Sequence, residues 1–315
     1  MSILFIDLLN NEFSNCDIKF LSQNFDLTIR RFCDPPQNKD LKNIKTIIQY
    51  GRPQNFTRYG PHHHIGYIDH INSISGHLEN SLEFCNIVDE LWVSTPETFE
   101  FLKKNNRISC PVYFAPHYYN LNFDKSMKMK IDNIENHYKF LFAGQKDLDK
   151  VIRAFYLEFN PTEPVSLLVD SNLDAEKIND YIKNELNLYK NKNNYQNITI
   201  TKNASPVQKL CLYNYTDCYL NIGHEFNNWP LINCIGYNKE ILSPYRTNFN
   251  ILANYDYRVW INTFTNDNGG VFDELDLKNK MRATYLLNRK GHKTKEPINF
   301  LEKFNLETIL ERLKV

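Results

Sequence analysis

Residues 217–236, Asp217-Cys-Tyr-Leu-Asn-Ile-Gly-His-Glu-Phe-Asn-Asn-Trp-Pro-Leu-Ile-Asn-Cys-Ile-Gly236, decide how this 315-residue chain is read. The stretch opens as an apolar strand, passes through a short polar loop and reaches Pro230, where a helix can start. One carboxylate, Glu225, lies in that loop at the expected carboxyl end of a buried strand. In open parallel sheets that edge is where ligands bind. A helix N-terminus just beyond it offers backbone N–H groups and a positive dipole end to an anion. Read by itself, Glu225 is either part of a ligand site or a loop carboxylate capping the helix.

On either side of this stretch, short apolar runs alternate with helical patterns, the signature of parallel α/β architecture. The expected strands of the first part are Ile3–Ile6, Leu27–Arg31, Ile44–Gln49, Ile65–Ile68, Glu90–Val93 and Val112–Ala115. Ser94-Thr95-Pro96-Glu97 starts a helix, with Thr95 as cap and Pro96 in the first turn. The polar, Lys-rich stretch from Asp124 to Tyr138 is the expected linker. Beyond it the pattern predicts strand Phe140–Ala143, a helix over Leu148–Phe159, strand Val165–Val169, a helix near Ala175–Leu188 and strand Ile198–Thr201. A helix capped by Ser205 follows, then strand Glu240–Leu242. Two helices end the chain, Asp276–Leu287 and about Phe300–Leu313.

The length suits two domains, set at 1–128 and 129–290, with 291–315 as a helix returning to the first. An apolar content of 42% with 14% aromatics argues against general disorder. Thirty-seven basic and 37 acidic residues leave no net charge, so nucleic acid is not an expected partner. The seven cysteines form no Cys-x-x-Cys pair and mostly lie in apolar runs, which suits free thiols in a reducing compartment. The start has no basic flank, and no window approaches the ~18 apolar residues of a membrane span. A cytoplasmic protein is therefore expected, with peripheral membrane contact left open. His62, His63, His64, His70 and His77 invite a metal reading. Alternate strand residues face opposite ways and nothing else supplies a matching ligand pattern, so no metal site is expected.

A series of matches in order resembles the GT-B glycosyltransferases of the family 4 type. Val88-Asp-Glu-Leu-Trp-Val-Ser94 is similar to the family's DelWvpS segment, and Val112-Tyr-Phe-Ala-Pro-His117 to its strand ending in Pro-His. Phe140-Leu-Phe-Ala-Gly-Gln-Lys146, running on to Phe155, resembles the fvG…RKG segment. Leu212-Tyr-Asn-Tyr-Thr-Asp217 matches lY-x-x-a-D, and Glu225 to Asn233 falls on the Glu, seven residues, Glu motif. The resemblance covers about residues 85–245. It implies two Rossmann-like domains with parallel sheets facing a central cleft, the N-terminal one trimmed. The implied reaction is retaining, metal-independent transfer of a sugar from a nucleotide-sugar donor, without a cofactor, to an acceptor glycan, lipid or protein.

The resemblance also assigns residues. Glu225 would position the donor sugar and Lys146 would stabilise the departing diphosphate. Gly144, Gln145, His224, Phe226 and Asn233 would complete the donor site. Asp69 or His70, after strand Ile65–Ile68, would face acceptor or donor as a further catalytic group. Each has a plainer reading: Lys146 as a solvated turn lysine, Asn233 as an Asn bonding within its own helix, Asp69 and His70 as a loop pair. There are departures from the pattern. Gln145 stands where relatives have Arg, Asn233 replaces the second Glu, Phe226 replaces Gly, and Ile3–Ile6 is not followed by a Gly-rich loop. Lys150 and Arg153 lie on one helical face with Lys146, where either could supply the missing charge. These departures leave open a protein of the same fold that binds a nucleotide or glycan, or scaffolds a partner, without catalysis.

Overall fold

The computed structural model describes residues 2–9, 12–31, 34, 36–68, 78–115, 117, 126, 129, 131, 133–171, 173–187, 198–201, 204–222, 229–244, 258–264 and 271–289. It divides into two compact units, one within Met1–Asn120 and one within Leu121–Phe300. The expected helix over 300–313 lies outside the described residues.

The first unit is a six-stranded parallel sheet of β1 (Ser2–Asp7), β2 (Asp26–Arg31), β3 (Thr46–Tyr50), β4 (His63–Ile68), β5 (Glu90–Val93) and β6 (Val112–Phe114). Their spatial order is β2-β1-β3-β4-β5-β6. The run Ile3-Leu-Phe-Ile6 is apolar at every position because both faces of a central parallel strand are covered. All four of these residues are buried. Ile3, Phe5, Ile48, Tyr50, Ile65, Tyr67 and Trp92 form one face with Phe20 and Leu21 of α1 (Glu12–Asn24). On the opposite face, Ile68, Leu91 and Val93 pack with Leu82 and Leu102. These two leucines come from α3 (Leu78–Phe84) and α4 (Pro96–Lys103), which follow the single-turn α2 (Asn38–Leu41). Thr95 stands at the α4 cap, but its hydroxyl bonds Thr98 Oγ1 at 2.9 Å and caps no backbone N–H.

The second unit begins with β7 (Tyr138–Ala143), α5 (Leu148–Glu158), β8 (Val165–Asp170), α6 (Ala175–Asn187) and β9 (Ile198–Thr201). It continues with α7 (Pro206–Tyr215), β10 (Cys218–Leu220), α8 (Trp229–Gly236), β11 (Glu240–Pro244) and β12 (Arg258–Ile261). A small antiparallel ribbon, β13 (Thr263–Phe264) with β14 (Val271–Phe272), leads into α9 (Glu274–Arg289). The main sheet is parallel, in the order β12-β11-β10-β7-β8-β9. Both sheets are thus α/β and Rossmann-like, as the alternating pattern requires. Ser205 caps α7 as expected, in a reciprocal pair with Gln208 and with Pro206 in the first turn.

At the amino edge of this sheet, Asp217 Oδ2 accepts from Lys139 N at 2.8 Å, holding the start of β10 level with β7. Tyr138 donates to Glu240 Oε2 at 2.6 Å, and burial raises the Glu240 pKa. The acidic end of the lY-x-x-a-D segment therefore works as a sheet fastener, on the edge opposite the strands' carboxyl ends.

Arg282 of α9 locks the α5 side. Its guanidinium bonds Glu158 Oε1 at 2.6 Å, the Glu158 carbonyl at 2.6 Å and the Glu163 carboxylate, and lies 4.7 Å from the Phe159 ring centre. Truncation would remove the cation that Glu158 and Glu163 share, leaving Glu158 with Lys278 at 3.6 Å. Arg282→Ala is expected to destabilise the second unit by about 2 kcal/mol, read as a lower denaturant midpoint. Among the described residues no helix is long and apolar enough to cross a membrane.

Candidate functional site

Numbered within its own unit, the second sheet runs 6-5-4-1-2-3. The strand order therefore reverses between β7 and β10, and at such a switch point a crevice opens at the carboxyl edge. Register sets the two exits side by side, since Phe142 of β7 is level with Leu220 of β10. Neighbouring strands are about 4.8 Å apart, so the loops that leave there share one patch of edge.

The loop leaving β7 is Gly144-Gln145-Lys146-Asp147. Gly144 has φ +151° and Asp147 φ +63°, so the chain turns sharply before α5. Gly144 N donates to Asp170 O at 3.0 Å, which ties the turn to β8. Gln145 and Lys146 are exposed. Asp147 is the cap residue of α5, but its side chain caps no backbone N–H and instead takes Lys150 Nζ at 2.7 Å. Arg153 is held by Glu274 at 3.0 Å. The two cations considered as substitutes for the missing Arg are therefore occupied as structural partners. Among the described residues Lys146 has no ion pair. An exposed cation beside the opening turn of an 11-residue helix suits an anion.

The chain leaves β10 through Asn221 and Ile222. Asn221 N bonds Leu242 O at 2.8 Å, and its side chain donates to Ser243 Oγ of β11 at 3.1 Å. His224, Glu225 and Phe226 follow in sequence and lie outside the described residues. The structure resumes at Trp229, half-buried at the start of α8, one residue before the expected Pro230. Asn233 is 4% exposed and donates to Trp229 O at 2.8 Å. That bond is the local one weighed against a ribose contact, and it uses one of the two amide hydrogens. Asp69 and His70 also lie outside the described residues.

The first sheet carries its own switch point between β1 and β3, and the trimmed loop is visible there. Leu8 N donates to Tyr50 O at 2.9 Å and Leu9 N to Asp7 Oδ1 at 3.1 Å, so the Asp7 side chain closes a tight turn. Leu8 packs on Gly51, where an added Cβ would lie 2.7 Å from Leu8 Cβ. An apolar side chain thus fills the place of a Gly-rich loop. Gly51→Ala is expected to cost about 1–3 kcal/mol through overpacking, measured on the first unit's unfolding transition.

In the histidine-rich stretch, His62 Nδ1 contacts Ile44 O at 3.0 Å, and His64 is buried on the sheet. His63 stands 3.8 Å from both Asp89 and Glu90. Among the described residues no group of His, Cys, Asp and Glu is arranged to hold a metal ion.

No protein-family model matches the chain, and no curated protein matches it in sequence. Solved structures do match it in fold. HepE from Anabaena, in complex with UDP and glucose, superposes with a TM-score of 0.71 at 10% identity, over 100% of this chain and 98% of that one. A glycosyltransferase from Rickettsia africae gives 0.68 at 11% identity, covering 99% and 96%. A UDP-forming α,α-trehalose-phosphate synthase from Burkholderia xenovorans, in complex with glucose-6-phosphate, gives 0.67 at 8% identity, covering 100% and 99%. The fold is GT-B. In GT-B terms the unit from β7 to α9 is the C-terminal Rossmann-like domain and β1 to β6 the trimmed N-terminal one.

Proposed function

We propose that this GT-B protein is a glycosyltransferase whose nucleotide-sugar donor binds at the carboxyl edge of the second sheet. The observation that carries the reading is the switch point between β7 and β10. There exposed Lys146 stands beside the start of α5, on the edge from which the strand preceding Glu225 also departs. A nucleoside diphosphate group is an anion that such an edge suits. HepE with UDP and glucose and the UDP-forming synthase, both of this fold, are consistent with a uridine nucleotide.

The proposed chemistry is front-face transfer with retention, without metal. The bond from the anomeric carbon to the phosphate oxygen breaks, and the acceptor hydroxyl bonds the same carbon from the same face. Its proton passes to the departing phosphate. Lys146 stabilises the charge that builds on the leaving group, and Glu225 holds the sugar hydroxyls. Gly144, Gln145, His224, Phe226 and Asn233 complete the donor pocket. The acceptor is a glycan, lipid or protein, met by the first unit with Asp69 or His70. A cytoplasmic location fits the free thiols of Cys85, Cys110, Cys211, Cys218 and Cys234.

A second reading, binding without turnover, is favoured by two specific observations. Asn233 is tied to Trp229 O, and Leu8 occupies the first unit's switch point. A panel of nucleotide sugars decides between them, with donor hydrolysis and thermal shift both recorded. Hydrolysis of one donor supports the transferase. A thermal shift without hydrolysis supports the binding protein, and neither signal removes both. Chelator insensitivity and the anomeric configuration of the product, read by NMR, test the finer claims.

A further inference from the structure

We propose that Asp17, His117 and Tyr67 form a latch that ties the chain's exit from the first unit to α1. His117 lies three residues before the end of that unit and beyond β6, whose extension is held by Ala115 N to Val93 O at 2.8 Å. Its Nδ1 is 2.6 Å from Asp17 Oδ2 and 3.1 Å from Tyr67 Oη. Asp17 and His117 are 0% and 2% exposed. The imidazole packs against Tyr50 and Tyr67, with ring centres 5.6 and 5.2 Å away. Nδ1–H donates to the nearer carboxylate, with Tyr67 Oη as the weaker second acceptor.

Such a pair is a poor way to gain stability, because apolar side chains of similar volume fill the same space without desolvating a carboxylate. What it provides is a single geometry joining three elements. Asp17 stands on the apolar face of α1, four residues before Leu21, and α1 follows the switch point between β1 and β3. Tyr67 lies near the end of β4, two residues before Asp69. His117 carries the outgoing chain. Opening the bond releases His117 from α1 and from the end of β4. The position of α1, the end of β4 and the freedom of the exit are therefore coupled through one imidazole. His117 is a positioning residue in this scheme, and the coupling holds whether or not the protein transfers sugar.

Amide hydrogen exchange on the full chain tests the latch in wild type, Asp17→Asn, His117→Gln, the double variant and Tyr67→Phe. Exchange over 115–121 is expected to quicken about tenfold in either single variant, with no further gain in the double, because both act on the same charge-assisted bond. Tyr67→Phe is expected to give a smaller change. Unchanged exchange in variants that keep their near-ultraviolet dichroism, or additive effects in the double, would overturn the proposal. Should the variants not fold, ¹⁵N spectra of wild-type histidines decide. A His117 ring protonated at Nδ1 and slow to exchange supports the latch, and an unprotonated Nδ1 overturns it.

Discussion

Lys146→Ala and Glu225→Gln are each expected to lower kcat for sugar transfer by roughly a hundred- to a thousandfold. That is the usual consequence of removing one preorganised group from developing charge. Lys146 is exposed on the loop after β7, next to the start of α5, while Lys150 and Arg153 are held by Asp147 and Glu274. No other cation of that loop and helix face is available to replace it, so the loss should be close to the full effect of one charge. Because Lys146 is exposed, the variant's melting temperature should match wild type. Lys146→Arg should recover part of the rate, since charge is kept while geometry changes. Full activity in Lys146→Ala would show that the diphosphate is stabilised elsewhere.

The second large effect is on stability and concerns acid. His64 is fully buried on β4, and Tyr59 N–H donates to its Nε2 at 3.2 Å. The ring proton therefore sits on Nδ1, which is buried with no hydrogen-bond partner among the described residues. Protonating Nε2 would set two donors against each other at a buried position. Burial accordingly lowers the pKa from 6.5 to about 4, with neighbouring Asp89 opposing the shift. The sign follows from proton counting. Between pH 6.5 and about 4 the unfolded chain binds a proton that the folded one refuses, so stability is full above 6.5 and falls as pH drops through that window. At 1.36 kcal/mol per unit the accumulated loss is about 3 kcal/mol. Denaturation of the first unit at a series of pH values should show it, and His64→Leu should flatten that dependence. A wild-type profile level between pH 6.5 and 4.5 would contradict this account of His64.

What was legible in the sequence follows from what each element buries. The central strands β1, β3, β7 and β8 are covered on both faces, so each carries a mainly apolar run and was placed within two residues. Helix α7 announces itself through Ser205, Pro206 and Gln208, whose roles are local. Helix α1 was not expected, although Phe13, Cys16, Phe20 and Leu21 follow helical spacing. Asp17 interrupts that face, and its buried carboxylate meets His117, a partner a hundred residues away. The short strands β12, β13 and β14 were also missed. Each is four residues or fewer, too short for a run of alternating or apolar residues to stand out.

The site divides in the same way. The loop after β7 and the exit of β10 were expected at one edge, and the register of the sheet puts them there. The fate of individual cations and amides was not legible, because it depends on partners remote in sequence. Arg153 finds Glu274, and Asn221 finds Ser243. Asn233 is the exception, as its partner Trp229 is one helical turn away and a local bond was among the readings weighed.

The central claim is that the carboxyl edge between β7 and β10 holds the nucleotide diphosphate. Amide hydrogen exchange of the full chain with and without saturating UDP tests it most directly. The expected result is protection gathered over residues 144–151 and 229–236, lost in Lys146→Ala. Protection confined to the first unit, or none at a concentration that raises the melting temperature, would contradict it.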